Sequence, residues 1–258
     1  QIRAFVGTTK HLVDEARELH QTTKVATAAL GRTLTATSMM GLMMKNERDK
    51  VTVIIKGGGP IGTILVTSDS KGNVKGYVTN PNVEVENYPN GKLNVAGAVG
   101  NQGHVKVIKD IGLREPYNGS YPIVSGEIAE DFTHYFAVSE QTPSVVALGV
   151  LTTETHVECA GGLIVQLMPD ATEETISQLE KNIQNLQSIT TMLSEGKTPE
   201  DMLNIVLEDL QPRILDKIDV KFECECSKDK VQEALVAIGK TALKQIIEEA
   251  KPYYCYET

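Results

Sequence analysis

Lys221-Phe222-Glu223-Cys224-Glu225-Cys226-Ser227 is the stretch on which the reading of this chain turns. A lone cysteine in a core is usually a small hydrophobe. Two thiols separated by one glutamate, in an acidic and solvated sequence, are not packing residues. Thiolates at that range share a soft metal or oxidise to each other. A disulfide between them closes a very small ring far from relaxed geometry, so it is strained and easily reduced. Residues 221–258 also hold too little apolar mass to fold alone, and a bound metal is the usual remedy because its binding energy becomes folding energy. The stretch therefore marks a small, conditionally stable appendage, and what precedes it divides into a large domain and a connector.

Working outward, the 258 residues are enough for one large core with such an appendage. Apolar residues make up 41% and aromatics 5%, with no Trp, as in an ordinary globular protein. Lys+Arg 25 against Asp+Glu 34 gives a net charge of -9, which argues against a nucleic-acid backbone or an anionic membrane as partner. Four unevenly placed cysteines do not make a secreted disulfide framework and point to a reducing cytoplasm. The opening Gln1-Ile2-Arg3, without a Met, is read as the start of a trimmed product. The most apolar run, Val25 to Met44, carries Arg32 and several Thr residues, so it is read as a buried helix and not as a membrane span.

From the N-terminus, Thr8 or Thr9 is placed to cap a helix with Leu12, Val13, Ala16 and Leu19 at helical spacing. A second helix is predicted from Val25 to Lys45. Its Met39, Met40, Met43 and Met44 suit core filling, with an exposed client-binding surface as the minor reading. Val51 to Lys56 and Ile61 to Thr67 read as strands joined through Gly57-Gly58-Gly59-Pro60. Those glycines lack the Lys-Ser/Thr pair and the following helix of a P-loop, so no nucleotide site is assigned. Strand signals recur at Val74 to Val78, Val105 to Ile108, Val145 to Leu151 and Leu163 to Leu167, with a helix from Ala129 to Ser139. The last two runs are continuously apolar, as in strands buried on both faces. Helices and strands mix without regular βαβ alternation, so the class is α+β.

At Pro169 the character changes. One amphipathic helix is predicted from Asp170, with Ile176, Leu179, Ile183, Leu186 and Ile189 in its apolar stripe and Gly196 at its end. A second starts at Thr198-Pro199 and runs to Leu210. Such a stripe is covered by the large domain or by a partner. Ser227 is placed to cap a further helix closed by Gly239, and a short one follows from Thr241. The organisation is thus an α+β core over 1–170, a helical linker over 171–220 and a small domain over 221–258.

No catalytic constellation is present. His11, His20, His104, His134 and His156 occupy no metal-binding or triad spacing, and there is no G-x-S-x-G. Glu127, Glu130 and Asp131 suit a solvated helix end. Cys159 is isolated in sequence and reads as a packing residue. Cys224, Cys226 and Cys255 remain, three soft ligands where a structural zinc takes four.

At this point the sequence resembles the bacterial heat-shock protein 33 family of redox-regulated holdase chaperones. The resemblance covers nearly the whole chain. It is carried by Val25–Arg32, Gly57–Gly62, Gly91-Lys92-Leu93 with Val95–Ala98, Val124–Phe132, Ser139–Ser144, Ala160-Gly161-Gly162 and the Cys-x-Cys, in that order and spacing. It implies an α+β core, a helical linker and a small zinc domain, with one zinc per chain held by a Cys-x-Cys and a later Cys-x-x-Cys. The first pair matches Cys224 and Cys226. Cys255 lies close to the spacing of the third ligand, and Thr258 stands where the fourth Cys falls. A rival alignment sets Tyr254-Cys255-Tyr256 against an aromatic pair that follows the family's second cysteine pair, and leaves Cys255 out of the ligand set.

The resemblance further implies that Cys224 and Cys226 are redox-active. Their oxidation to disulfides expels zinc, melts the small domain, loosens the linker and exposes apolar surface to unfolding client proteins. It implies no enzyme activity, no nucleotide, no nucleic acid and no membrane, and a homodimer as the oxidised, active form. Two readings from other classes stand beside it. A zinc enzyme needs an open coordination position. A zinc-ribbon-type module that binds nucleic acid or protein without redox switching predicts salt-sensitive binding if its partner is nucleic acid.

Overall fold

A computed structural model describes residues 1–224 and 228–248. The chain divides into two compact units, Gln1–Glu223 and a second from Cys224 onward. In chain order the first unit begins with β1 (Ile2–Thr8), α1 (Lys10–His20) and α2 (Lys24–Leu42). Next come β2 (Lys50–Lys56), β3 (Thr63–Asp69), β4 (Val74–Val78), α3 (Val95–Val99), β5 (His104–Asp110) and β6 (Tyr117–Pro122). Then follow α4 (Ala129–Val138), β7 (Ser144–Thr152), β8 (Val157–Leu167), α5 (Glu173–Gln184), α6 (Ile189–Ser194) and α7 (Pro199–Val206). The second unit holds α8 (Lys228–Ile238) and α9 (Lys240–Glu248).

Two antiparallel sheets share one central helix. The larger has the order β4-β3-β2-β5-β6 and the smaller β1-β8-β7. In β2 and β3 every second residue is buried, the signature of a sheet with one face on the core. α2 packs against both sheets, which explains its composition. It is buried nearly all round and built from Ala, Gly and Thr, so both sheets approach it closely. Two of its buried hydroxyls are satisfied inside the helix: Thr33 Oγ1 donates to Ala29 O at 2.8 Å and Thr35 Oγ1 to Gly31 O at 2.8 Å. Gly31 is required there, because a Cβ would stand 2.6 Å from Val13 and 2.9 Å from Val150. Met39 and Met40 are core residues, while Met43 and Met44 are half-buried. Thr9 occupies the N-cap of α1 but makes no side-chain cap; it shares a 2.7 Å hydroxyl hydrogen bond with Thr35 of α2 instead.

The glycine run after β2 is a backbone contact. Gly59 N donates to Val99 O at 2.9 Å, and a Cβ on Gly59 would meet Ala98 O at 2.3 Å. Its amide is committed to α3, as the structural-turn reading requires and a phosphate cradle would not allow.

Three expectations change. Of the acids at the start of α4, Glu130 is exposed as a solvated helix end requires, but Glu127 and Asp131 are not. Asp131 is 3% exposed, and its carboxylate accepts from the backbone amides of Val124 (2.8 Å), Ser125 (3.0 Å), Gly126 (3.1 Å) and Ile128 (3.0 Å). This holds Ile128 at φ 74°, a conformation a β-branched residue adopts only when its surroundings over-determine it. Glu127 accepts from Arg32 at 2.6 Å and from Tyr88 at 2.8 Å, tying α2 to the start of α4. Second, the helix predicted from Asp170 to Gly196 is two helices. Thr172 caps α5, accepting from Thr175 N at 3.3 Å, and the chain breaks after Gln184 so that Ser188 caps α6, accepting from Thr191 N at 3.1 Å. Third, β1 and β6 are strands where none was predicted, and β8 begins at Val157, well before Leu163.

Candidate functional site

The three cysteines proposed as ligands fall differently on the described residues. Cys224 is exposed and unpaired among them, and Cys226 and Cys255 lie outside the described residues. Among the described residues no three His, Cys, Asp or Glu side chains converge as metal ligands would. The donor chemistry suits a soft metal: Cys224 and Cys226 are thiols one residue apart at the head of the second unit. The described helices of that unit bury almost nothing. α9 has no buried residue, and Val231, Leu235, Val236, Ile246 and Ile247 are exposed. A unit with so little described burial gains most from a cross-linking metal. Cys159 is not part of this set. It is buried on β8 beneath α6, with Sγ 3.8 Å from Thr190 O and 3.9 Å from Ser194 Oγ.

The residues just before Cys224 are held on the first unit. Val74 N, on the outer edge of β4, donates to Lys221 O at 2.9 Å, and Glu223 N donates to Val74 O at 2.7 Å. These bonds form a parallel bridge between Val74 and Phe222. Phe222 is 6% exposed and joins the main core, while Val220 packs beside Gly72. Sequence reading saw the cysteines and passed over this anchor. Its signal was the alternation Val220-Lys221-Phe222-Glu223, short but of strand period.

The second element is the cover of the smaller sheet. β8 is buried on both faces, as its continuous apolar run predicts. One face meets α1 and α2, the other meets α6, and α7 lies against β1. Leu163 and Val165 of β8 form a separate core with Leu179 of α5, Ile189 and Met192 of α6, and Met202 and Val206 of α7. The apolar stripe of the linker helices is therefore spent on the sheet. α6 and α7 are 6 and 8 residues long, too short to be stable helices by themselves. They persist because they are packed. Beyond α7 the chain is extended, exposing Ile214, Leu215 and Ile218 before it reaches the Val220–Phe222 anchor. Lys217 of this segment pairs with Glu200 of α7.

No described helix is long and apolar enough to cross a membrane. Comparison with known proteins places the whole architecture. The profile of the Hsp33 protein family matches residues 1–254. A 33 kDa chaperonin of Clostridioides difficile (strain 630) is 76% identical over 251 residues, covering 97% of this chain and 86% of that protein. A 33 kDa chaperonin of Alkaliphilus metalliredigens (strain QYMF) is 51% identical over 249 residues, covering 96% of this chain and 85% of its own length. The crystal structure of the 33 kDa chaperonin (Heat shock protein 33 homolog) from Thermotoga maritima superposes with a TM-score of 0.88 at 37% identity, covering 96% of this chain and 84% of that one. The match runs through core, linker helices and the Cys224 segment alike, and the chain belongs to the Hsp33 family of chaperones.

Proposed function

We propose that this chain is an ATP-independent holdase of the cytoplasm whose client surface is locked in the reduced form and opened by oxidation of Cys224 and Cys226. The observation that carries the reading is the apolar face of the small sheet, covered only by short helices whose chain continues through one anchored segment into the thiol pair.

In the reduced form the thiolates of Cys224, Cys226 and Cys255 would hold one zinc ion. When bound, zinc keeps its thiolates deprotonated and cross-links the second unit, contributing on the order of 10 kcal/mol of folding free energy. A peroxide-type oxidant takes two electrons from the Cys224 and Cys226 thiolates. An S–S bond forms, the O–O bond breaks with its two oxygens leaving as hydroxide or water, and the paired sulfurs would no longer be available as thiolate ligands. That loss exceeds the stability a small unit has of its own. With the second unit unfolded, the segment before Cys224 is no longer tethered at both ends. The cover over Leu163 and Val165 then depends on α5–α7 alone. Each apolar side chain returned to water weakens it by roughly 1.5–3 kcal/mol, and short helices without their packing partner melt. The uncovered stripe and sheet bind the apolar segments of unfolding proteins. The active form is a homodimer, which doubles the surface offered to one client.

The test is light scattering from a heat-unfolding client. The chain is added either reduced and zinc-loaded or after peroxide and mild heat. Suppression by the oxidised form alone supports the switch. Equal suppression by both forms means a constitutive binder, and no suppression by either overturns the chaperone reading for this chain.

A further inference from the structure

The anchor at Phe222 has a titratable neighbour. His20, the last residue of α1, meets the Phe222 ring edge-on, with centroids 6.1 Å apart and planes at 79°. The backbone of Gly76, two residues beyond Val74 on β4, lies beside the imidazole. Its Nε2 is buried and has no hydrogen-bond partner among the described residues. The imidazole thus sits against the same sheet edge that receives Lys221 and Glu223.

We propose that Phe222, seated on His20 beside the Val74 edge, is a latch that keeps the segment leading to Cys224 on the core, and that a proton on His20 opens it. The physical reason is the environment of the second nitrogen. A neutral imidazole in its Nδ1–H tautomer leaves only an unused lone pair there. A protonated one places a charged N–H in a buried position with no acceptor among the described residues. The charged groups on the elements packed around it are Arg17 and Glu18 on its own helix, Lys75 on β4, and Lys221 and Glu223 on either side of Phe222. Arg17 is held by Asp14 at 3.2 Å and Glu18 at 3.8 Å, and Lys221 by Glu223 at 3.3 Å. Each of these carboxylates already faces a cation, and none is hydrogen-bonded to His20 among the described residues. A centroid distance of 6.1 Å is at the outer limit of the cation–π range, so the Phe222 ring does not compensate for burial.

Burial accordingly holds the imidazole below its ordinary value, with the nearby Gly76 backbone acting in the opposite direction. For a base depressed in this way, the latch is fully stable above the ordinary histidine value of about 6.5. It weakens as pH falls from there through the lower folded value. Acid and oxidation then loosen the same segment by independent routes. The latch follows from the Phe222, His20 and Val74 contacts; that its opening also exposes client-binding surface rests on the proposed function.

The experiment is hydrogen exchange on the full-length reduced chain at pH 7.5 and 5.5, each rate corrected for intrinsic exchange. The readouts are the Val74 and Glu223 amides, which make the two anchoring bonds. Wild-type protection at both is expected to fall about tenfold in acid, while Val53 in the middle of β2 is unchanged. His20→Gln, which keeps a polar side chain of similar size and takes no charge, is expected to show no fall. The reciprocal measurement is the His20 titration by NMR, where Phe222→Ala must raise the midpoint toward 6.5 because the coupling is mutual. Constant wild-type protection, an unaltered fall in His20→Gln, or a midpoint unmoved by Phe222→Ala would each overturn the proposal. No client enters these measurements, so a chain that passes them and still fails to suppress client aggregation refutes the holdase reading and leaves the latch intact.

Discussion

Asn182 on α5 donates its side-chain amide to the backbone carbonyl of Val206, the last residue of α7, at 3.2 Å. The same amide nitrogen also donates to Glu208 O at 2.9 Å, and Gln178 Nε2 donates to Asn182 Oδ1 at 2.9 Å. One buried amide therefore closes the three-helix cover by serving carbonyls that the end of α7 leaves without helical partners. A polar side chain stands inside an apolar stripe because the turn after α7 needs its donors there.

Asn182→Leu removes that tie while keeping the volume. With two carbonyls left short of a donor, the cover should lose about 1–3 kcal/mol, and α7 should fray first. Aggregation assays on the reduced protein should then show client suppression at lower temperature or oxidant dose than wild type. A variant indistinguishable from wild type would mean that the cover does not limit access to the sheet.

Replacing the thiol pair tests the other end of the chain. Cys224→Ser with Cys226→Ser should yield a chain without stoichiometric zinc, whose client suppression is the same before and after peroxide. Chelation of the wild-type protein under reducing conditions should lower the helical signal of residues 228–248, which have little buried surface of their own among the described residues. Retention of a full zinc equivalent by the double variant would remove these two cysteines from the ligand set.

Asp131 anchors the loop ahead of α4 through four backbone amides. Asp131→Asn turns an all-acceptor group into one that presents donors to donors. The expected cost is about 3 kcal/mol, read as a lower urea midpoint with an unchanged slope. The redox response should survive where the variant is folded, since the loop lies in the main core and not in the cover.

Glu140 carries a pH dependence. Burial by itself would raise its carboxyl, but hydrogen bonds from Lys109 and from the buried Tyr135 hold it below the usual carboxylate range. Tyr135 is pushed up in turn, first by burial and then by that carboxylate. The stabilisation is present above the ordinary glutamate value of about 4.3 and lost as pH falls through the lower folded value. Glu140→Gln should cost roughly 1–2 kcal/mol at pH 7, and the gap to wild type in urea midpoints should close in acid. A gap constant from pH 7 to pH 3 would rule out an ionised Glu140 as its source.

What the sequence determined alone were the features that local chemistry dictates. The β-branched runs at Val51–Lys56 and Val74–Val78 are strands, the Ala/Thr-rich segment is a helix buried on all sides, and Thr198-Pro199 starts a helix with Asp201 completing its capping box. Two cysteines one residue apart carry the proposed metal or redox pair on sequence alone. β1 was missed although Ile2, Ala4 and Val6 alternate, because seven residues at a chain end carry little weight until β8 is there to pair with. β6 was missed because Asn118, Gly119 and Pro122 contradict strand propensity, and only its ladder with β5 makes it one.

Tertiary structure alone decided the break between α5 and α6, the burial of Asp131, and the seating of Phe222 on His20. In each case the deciding partner is far away in sequence. Ile189 and Met192 must turn to reach β8, Asp131 must gather amides from a loop folded over it, and Phe222 must find an edge strand that closes some 150 residues earlier. Local propensity has no access to such partners. They exist only once the two sheets have closed on α2, and that closure decides which apolar stripe joins the main core and which covers the smaller sheet.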